Sequence, residues 1–270
     1  MMATPRQPTL FIGHGTPMNA IEDGPWPQAW RRLGAALPRP RAILSISAHW
    51  YTRGIGVTAM AQPRTIHDFY GFPPPLYACR YPAPGDAALA ARVQVLLSPA
   101  SVVLDQEWGL DHGTWSVLLH LYPEADIPVV QLSIDATLPP AAHHAIGRAL
   151  RPLRDEGVLL MGSGNVVHNL RAMARSADAA ALAPAEEFNT FARDALLRGD
   201  DAALIDYQNA GAAARFAAPS PEHYLPLLYV LGARHEHEPA QIPVDGIAMG
   251  SLSMLSVQFG GSTTPNSTSA

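Results

Sequence analysis

Short apolar runs, each closed by small or polar residues, recur along the chain and constrain its fold more than any other feature. They are Thr9–Ile12, Ala42–Ser47, Ile127–Ile134 and Val158–Met161. Each run has the length of a strand, and its continuous apolar character indicates a strand buried on both faces. The sequence therefore predicts buried strands whose carboxyl ends lead into polar loops.

Segments with helical spacing and capping residues alternate with these runs. They predict helices at Asp86–Leu97, Thr114–Leu121, Ala141–Arg154, Ala185–Leu197 and Pro221–Leu231. Asp86 suits the N-cap of the first helix; Ser220 suits the N-cap of the last, with Pro221 in its first turn. The alternation of strands and helices predicts an α/β fold with a largely parallel sheet. The apolar stretch Gly250–Phe259 alternates like an edge strand.

The length of the chain favours one domain. A chain of 270 residues is long enough for one large α/β domain, and no repeat or linker divides it. We therefore expect a single domain over residues 1–259. Residues 260–270 are small and polar, and we expect them to form a disordered tail.

Charge and cysteine content exclude several classes of partner and site. The net charge of −5 indicates neither a nucleic-acid nor an anionic-membrane partner. No segment approaches the ~20 apolar residues of a membrane helix, and the N-terminus lacks the pattern of a signal peptide. A single cysteine, Cys79, excludes an internal disulfide and a cysteine-rich metal site. We therefore expect a cytoplasmic protein.

Lysine is absent, because all 18 basic residues are arginines. This excludes mechanisms that need a side-chain amine, namely Schiff-base, pyridoxal-phosphate and Walker-type phosphate chemistry. The chain has 11 histidines but only 15% charged residues. Histidine is therefore the main titratable and metal-ligating side chain available.

Three histidine-bearing segments follow predicted strands. His14 lies between two glycines, His49 follows the second apolar run, and His168 comes shortly after Asn165. Ligands of open α/β sheets bind beyond the carboxyl ends of the strands, so we expect these side chains to meet at one rim. The alternatives are a solvent-exposed turn for His14 and a hydrogen-bonded core histidine for His49.

Further candidates are predicted near helix N-termini. His112 precedes a helix, where Asp111 could be the cap, and the two neighbouring side chains are expected to diverge. His168 is predicted in the first turn of a helix. Glu222 and His223 open the last predicted helix, so only one of them should face a given site, because adjacent helical residues point about 100° apart.

The remaining histidines are interpreted mainly as structural or solvent-exposed. His120, His143 and His144 lie on predicted helices, and His235 and His237 lie in a charged loop. His67 is intermediate. It belongs to Arg64–Gly85, a long aromatic and proline-rich loop of a kind that is often functional.

Seven motifs in order resemble one enzyme family. They read GHGTPMNAI, SAHW, HDFYGFP, GLDHGTWSVL, VVQLSID, GSGNVVHNL and PEHYLPLLYVLGA. This pattern, spanning Thr9 to Phe259, resembles the 4,5-DOPA extradiol dioxygenase family, which is similar to the catalytic subunit of protocatechuate 4,5-dioxygenase. The resemblance implies one catalytic α/β domain with a central mixed, largely parallel sheet flanked by helices.

The resemblance also implies roles for individual residues. It implies metal ligands at His14, His49 and His223, with Glu222 as the rival to His223. His168 is implied as a fourth ligand or as an acid/base beside the metal, and His112 as a catalytic histidine acting on the substrate hydroxyl. The substrate-binding residues expected on this basis are His67, Phe69, Tyr70 and Tyr224, with Phe72 in the same wall.

The implied reaction is extradiol cleavage of a DOPA-like catechol by O2. Fe(II) is the expected cofactor, although Zn(II) could occupy the site in purified protein because it binds such ligands more tightly. The alternatives are a zinc-dependent hydrolase using the same site and a non-enzymatic metal-binding relative. The expected partners are the catechol and O2, without nucleic acid or membrane. Arg80 and Arg215 are only candidates for binding a substrate carboxylate, and the oligomeric state stays open.

Overall fold

The computed structural model describes residues 6–261. Within this range eight strands form one mixed sheet in the order β4-β3-β5-β2-β6-β1-β10-β7, and β8 pairs with β9 in a small second sheet. The strands are β1 (Thr9–Gly13), β2 (Ala42–Thr52), β3 (Ile55–Thr58), β4 (Val102–Asp105), β5 (Val129–Asp135), β6 (Val158–Gly164), β7 (Ala240–Val244), β8 (Ile247–Ala248), β9 (Leu252–Ser253) and β10 (Ser256–Phe259).

Helices flank both faces of this sheet, which confirms the predicted α/β fold. They are α1 (Pro25–Ala36), α2 (Pro74–Ala78), α3 (Ala87–Leu96), α4 (His112–Leu121), α5 (Pro140–Leu150), α6 (Pro152–Asp155), α7 (Ala183–Arg198), α8 (Asp201–Ile205), α9 (Ala212–Ala217) and α10 (Leu225–Ala233). Two short 3₁₀ helices in the described range span Pro17–Ala20 and Tyr207–Asn209.

The centre of the sheet consists of the strands that the apolar runs predicted. β5, β2, β6 and β1 pair in parallel in that spatial order. Their side chains alternate between two hydrophobic layers, as strand geometry requires. In β1, Leu10 and Ile12 face the layer that contains Trp115 of α4, whereas Phe11 faces the layer that contains Tyr229 of α10. Each apolar run therefore stabilises both layers.

The prediction of an edge strand at Gly250–Phe259 is wrong. This stretch forms β9 and β10, and β10 pairs antiparallel with β1 on one side and β7 on the other. β7 forms that edge of the sheet instead. β7 was not predicted from the sequence, because most of its residues are only partly buried and give no continuous apolar run.

Predicted helix bounds were most accurate where a cap is clear. Asp86 caps α3, and its carboxylate accepts a hydrogen bond from the Leu89 N–H at 2.9 Å. The helix predicted over Ala141–Arg154 is split into α5 and α6 at Pro152. Proline has no N–H to donate, and its ring clashes with the preceding turn, so the helix cannot continue unbroken.

The last helix begins later than predicted, at Leu225 instead of Pro221. Ser220 is not its N-cap, since the Ser220 hydroxyl donates to the Glu222 carboxylate at 2.8 Å. The residues before α10 therefore form an irregular turn, so Glu222 and His223 are not part of the helix.

The expected tail, residues 260–270, lies mostly outside the described residues, which end at residue 261. Within the described range, no helix combines the length and the apolar character that crossing a membrane would require.

Arg154 is a fully buried cation that joins several segments of the fold. Its guanidinium donates to the carbonyl oxygens of Gln7 and Ala233 at 2.9 Å each and of Phe259 at 3.2 Å. It also pairs with the Glu238 carboxylate at 2.7 Å. These bonds link α6 to the start of β1, the end of α10 and the end of β10.

Replacing Arg154 by alanine should lower the free energy of unfolding by about 3–5 kcal/mol, because the buried acceptors lose their common donor. Urea titration measures this change. Arg6→Ala is the matched control, since Arg6 forms an ion pair with Asp155 that is about half exposed. It should cost no more than about 1 kcal/mol. Equal losses in the two variants would contradict the structural role of Arg154.

Candidate metal centre

Five histidines of the described chain line one cavity: His14, His49, His112, His168 and His223. His14 follows β1, His49 lies in β2, and His112 is the first residue of α4. His168 lies in the loop after β6, and His223 precedes α10. Sequence-distant elements therefore bring the predicted histidines together at one rim of the sheet.

The imidazole rings are close enough to act as one cluster. The ring centroid of His49 lies 3.9 Å from that of His112, 5.1 Å from that of His14 and 5.0 Å from that of His223. His168 stacks on His223 at 3.4 Å with an angle of 6° between the ring planes.

The end of β6 fixes the backbone of two of these histidines. The His14 N–H donates to the Gly164 carbonyl at 3.0 Å, and the Asn165 N–H donates to the His223 carbonyl at 2.8 Å. A Cβ atom at Gly164 would lie only 2.1 Å from the His223 carbonyl oxygen. Glycine is therefore required here, because only a residue without a side chain lets the two segments approach.

The position of His49 reflects an irregularity in β2. The predicted run ended at Ser47, but the strand continues to Thr52, and its pairing with β5 shifts between Ile46 and Tyr51. His49 lies inside this shift. His168 also departs from prediction: it lies in a loop and forms an isolated bridge with Leu252, rather than the first turn of a helix.

Hydrogen bonding determines the tautomer of His14. The Ser163 hydroxyl donates its single proton to the Gly113 carbonyl. It must therefore accept from His14 Nδ1, which lies 2.9 Å away. The proton of His14 is consequently on Nδ1, and the lone pair of Nε2 is free.

The Asp68 carboxylate contacts two of the histidines. It accepts from the His112 N–H and from His112 Nδ1, both at 2.9 Å. The same oxygen that faces His112 Nδ1 lies 3.3 Å from His49 Nδ1. An ionised carboxylate only accepts protons, so the hydrogen-bonded His112 Nδ1 carries hydrogen. The contact with His49 Nδ1 is electrostatic and lacks hydrogen-bond geometry, but the negative charge favours a hydrogen on that nitrogen as well. In the neutral form of each ring, the lone pair is then on Nε2. Asp68 was not singled out from the sequence, although its position next to His67 in the long loop was a usable signal.

The arrangement of lone pairs fits a cation. His14 Nε2 and His49 Nε2 lie 3.4 Å apart, and the tautomers above leave no proton between them. His223 Nε2 is buried and has no hydrogen-bond partner within the described chain. Converging imidazole nitrogens are typical ligands of zinc and of non-haem iron. These residues therefore fit a bound metal ion.

Two separate sets of ligand atoms are each compact enough for a metal. The ligand atoms of His14, His49 and His112 lie within 4.8 Å of one another, as do those of His168, Glu222 and His223. The Glu222 carboxylate accepts from His223 Nδ1 at 3.2 Å. The prediction that only one of Glu222 and His223 faces the site is wrong, because both lie outside the helix and line the cavity.

Burial lowers the pKa of four of these imidazoles, His14, His49, His168 and His223, and so favours their neutral form. Desolvation, followed by repulsion from neighbouring histidines, lowers the pKa of His14 and His223 well below the ordinary value of 6.5. The same causes lower the pKa of His168 to about 4. Burial would raise the pKa of Asp68, but the hydrogen bonds from His112 and the electrostatic interactions with His112 and His49 outweigh it and lower that pKa to about 2. The site therefore combines neutral imidazoles with an ionised Asp68.

The cavity beside the histidines measures about 380 Å³, within the range of small-molecule sites. Its apolar walls are formed by Phe69 and Phe72 of the long loop and by Leu170, Met173 and Leu252. Leu170 and Met173 were not predicted from the sequence, because they lie on an irregular loop without periodicity. An aromatic ring fits between such walls.

Tyr224 is not a substrate-binding residue, contrary to the sequence-based expectation. It is fully buried, stacks on Tyr207 with centroids 3.9 Å apart, and donates to the Leu204 carbonyl at 2.9 Å. Tyr70 is 92% exposed and does not line the cavity. His67 lies behind Phe69, where its Nε2 is 3.1 Å from the Cys79 carbonyl oxygen. Of the four expected substrate-binding residues, Phe69 lines the cavity and the other three do not.

The other histidines lie outside the cavity. His143 is buried, with its Nδ1 2.9 Å from the Tyr229 hydroxyl, and His120 Nε2 lies 2.8 Å from the Asn19 carbonyl oxygen. Asp111 caps α4, and its side chain diverges from that of His112 as predicted. It contacts Ser47 and Gln131 instead.

The chain is similar to known proteins over nearly its whole length. The family model described as the catalytic LigB subunit of aromatic ring-opening dioxygenase matches residues 8–260. A relative from Escherichia coli (strain K12), named 4,5-DOPA dioxygenase extradiol, is 54% identical over 264 residues, covering 96% of this chain and 97% of the relative. A relative of the same name from Beta vulgaris is 40% identical, covering 93% of this chain and 96% of the relative.

A solved structure is also similar to this chain in both fold and sequence. The crystal structure of an uncharacterized protein from Escherichia coli K12 matches with a TM-score of 0.83 and 49% sequence identity. It covers 94% of this chain and 100% of the other. The sequence matches and the shared fold together cover nearly the whole chain. The chain therefore belongs to the family of the catalytic LigB subunit of aromatic ring-opening dioxygenases.

Proposed function

We propose that this protein, an extradiol ring-opening dioxygenase by family, cleaves a DOPA-like catechol with O2 at a non-haem Fe(II) site. The observation that carries this proposal is the pair of Nε2 lone pairs of His14 and His49, 3.4 Å apart beside an arene-sized cavity. Family membership argues against the zinc-hydrolase and non-enzymatic alternatives.

The proposed ligands are His14, His49 and His223. Each has its Nδ1 next to an oxygen of Ser163, Asp68 or Glu222 respectively, which leaves Nε2 available to a metal. Oxygen acceptors behind ligating imidazoles are a common feature of metal sites. A ferrous ion held here would supply the redox chemistry that passes electrons from the catecholate to dioxygen.

His112 and His168 are proposed as acid/base residues beside the metal. His112 Nε2 would accept a proton from the substrate hydroxyl, and Asp68 next to its Nδ1 would stabilise the resulting imidazolium. His168 lies parallel to His223, so their lone pairs do not converge on one point. We therefore assign His168 to proton transfer at the reacting oxygen rather than to a fourth ligand position.

The substrate ring is proposed to lie between the aromatic loop and the opposite wall. Phe69 packs edge-on against His112, with centroids 5.5 Å apart, and Phe72 packs against Phe69. Leu170 and Met173 face them across the cavity. These apolar walls exclude water from the proton-transfer residues and orient the diol towards the histidines.

Anaerobic reconstitution of the metal-free protein with Fe(II), followed by air and a catechol panel that includes DOPA, should give a yellow ring-fission product. Starting from metal-free protein matters because zinc binds imidazole sites more tightly than ferrous iron. His14→Ala and His49→Ala should abolish the product, whereas His237→Ala, which changes an exposed histidine outside the cavity, should not. Bound iron without catechol consumption would contradict the proposal.

Separate measurements of metal content and turnover should distinguish His223 from His112. His223→Ala should lose bound metal, because its buried Nε2 is a proposed ligand. His112→Ala should retain metal but lose roughly 10²–10⁴-fold in kcat, the usual contribution of general acid–base catalysis. If His112→Ala loses the metal and His223→Ala keeps it, the compact set of His14, His49 and His112 is the ligand set instead.

Acid should destabilise the metal-free protein. In the unfolded chain His14, His168 and His223 take up protons near pH 6.5, whereas in the folded protein their lowered pKa delays protonation, to about pH 4 for His168. The unfolded state therefore binds more protons over this window, and stability falls as the pH falls through it. His168 alone contributes up to about 3 kcal/mol. Urea titrations at pH 7.5 and 5 measure the loss.

A matched pair of variants isolates the contribution of the cluster to this acid sensitivity. His168→Gln should reduce the difference in unfolding free energy between pH 7.5 and 5, because the group that resists protonation is gone. His237→Gln should leave the difference unchanged, because this side chain is exposed to water in the folded protein as well. Equal stability of the parent protein at both pH values would contradict the burial argument.

A further inference from the structure

The Asp68 carboxylate contacts both a proposed metal ligand, His49, and a proposed acid/base residue, His112. Its Oδ1 accepts from the His112 backbone N–H at 2.9 Å. Its Oδ2 lies 2.9 Å from His112 Nδ1 and 3.3 Å from His49 Nδ1. One carboxylate oxygen therefore faces the Nδ1 atoms of both imidazoles, at the edge of the cavity that Asp68 also lines.

The surroundings of Asp68 restrict its movement. Its side chain is only 17% exposed. It belongs to the long loop that also carries Phe69 and Phe72, the aromatic wall of the cavity. The His112 N–H that binds Oδ1 belongs to the first turn of α4, where backbone donors are free of intrahelical partners. The carboxylate is therefore held at both oxygens by α4, and the loop is fastened to the histidine cluster.

We propose that Asp68 is a positioning residue that holds the protons of His49 and His112 on Nδ1, so that both Nε2 lone pairs point into the cavity. Through His49 it sets the affinity for the metal, and through His112 it keeps a proton acceptor ready for the substrate. The role for turnover rests on the proposed function, whereas the role in tautomer choice and metal binding does not.

The chemistry of the alternatives supports this assignment. A carboxylate has no proton, so the His112 Nδ1 that hydrogen-bonds to it must donate. The negative charge 3.3 Å from His49 Nδ1 favours a proton on that nitrogen as well. An asparagine has nearly the same shape but carries an NH₂ group. With its oxygen kept by the His112 backbone N–H, the NH₂ would face both Nδ1 atoms and require them to accept. The protons would then move to Nε2, and a protonated Nε2 has no lone pair with which to bind a metal.

His14 provides an internal reference within the same cluster. Its Nδ1 proton is held by Ser163, not by Asp68. A change at Asp68 should therefore alter the tautomers of His49 and His112 and leave that of His14 unchanged. General disturbance of the site would instead alter all three.

The first test is histidine-selective ¹⁵N labelling of the metal-free parent protein at pH 7.5. Long-range ¹H–¹⁵N correlation spectra distinguish Nδ1–H from Nε2–H tautomers, and single histidine variants assign the signals. His14, His49 and His112 should all carry the proton on Nδ1. A proton on Nε2 of His49 or His112 in the parent protein would overturn the proposal without any change at Asp68.

The second test compares Asp68→Asn with the parent protein. Its His49 and His112 signals should change to the Nε2–H form, while the His14 signal stays the same. The affinity for Zn²⁺, measured by competition with a chromophoric chelator, should fall roughly 10–100-fold, the usual effect of losing such a partner. At saturating Fe(II), kcat for the catechol should fall more than KM rises. Unchanged tautomers together with unchanged Zn²⁺ affinity would overturn the proposal.

Asp135→Asn is the matched control. Asp135 is also a largely buried aspartate, but its carboxylate accepts from Thr137 at the end of β5 and contacts none of the five histidines. It should leave the tautomers and the Zn²⁺ affinity unchanged, and an equal loss in this variant would overturn the specific role of Asp68. Because both readouts are obtained without turnover, a parent protein that binds metal but cleaves no catechol refutes the proposed function alone.

Discussion

The functional region depends on one constraint: several imidazoles are buried close together, so they cannot all carry a positive charge. Neighbouring cationic imidazoles would repel one another in a site with little water, so His14 and His223 are kept neutral by a lowered pKa. Neutrality alone does not make a metal site, because each ring must also direct a lone pair inward. Ser163, Asp68 and Glu222 satisfy this need by lying next to the Nδ1 atoms.

The sheet explains why these groups lie at one rim. β1, β2 and β6 are adjacent and parallel, so their carboxyl ends, with His14, His49 and the Gly164 turn, open towards the same side. The Gly164 carbonyl then accepts from His14 and the Asn165 N–H donates to His223, an approach that a side chain at position 164 would block. α4 adds His112 at its first turn, where free backbone donors also hold Asp68. The site is thus a consequence of strand order, one glycine and one helix N-terminus.

The accuracy of sequence-based prediction followed the strength of the local signal. Buried strands gave continuous apolar runs, and the N-cap at Asp86 gave a clear helix start, so these elements were predicted well. The shift inside β2 and the late start of α10 depend on contacts with distant segments, which local patterns do not record. For the same reason Tyr224 was misassigned: its place next to His223 suggested a role in the site, but packing against Tyr207 and Leu204 places it in the core.

The sequence by itself determined the chemistry available to this protein: many histidines, no lysine, one cysteine, and motifs of an aromatic ring-opening family. It also placed the histidines near strand ends, because that information is local. Only the tertiary structure decided which nitrogen of each ring faces the cavity. The tautomer of each ring depends on the group next to its other nitrogen. That group is Ser163 for His14 and Asp68 for His49 and His112. These residues are distant from the histidines in sequence and contact them only when the chain folds.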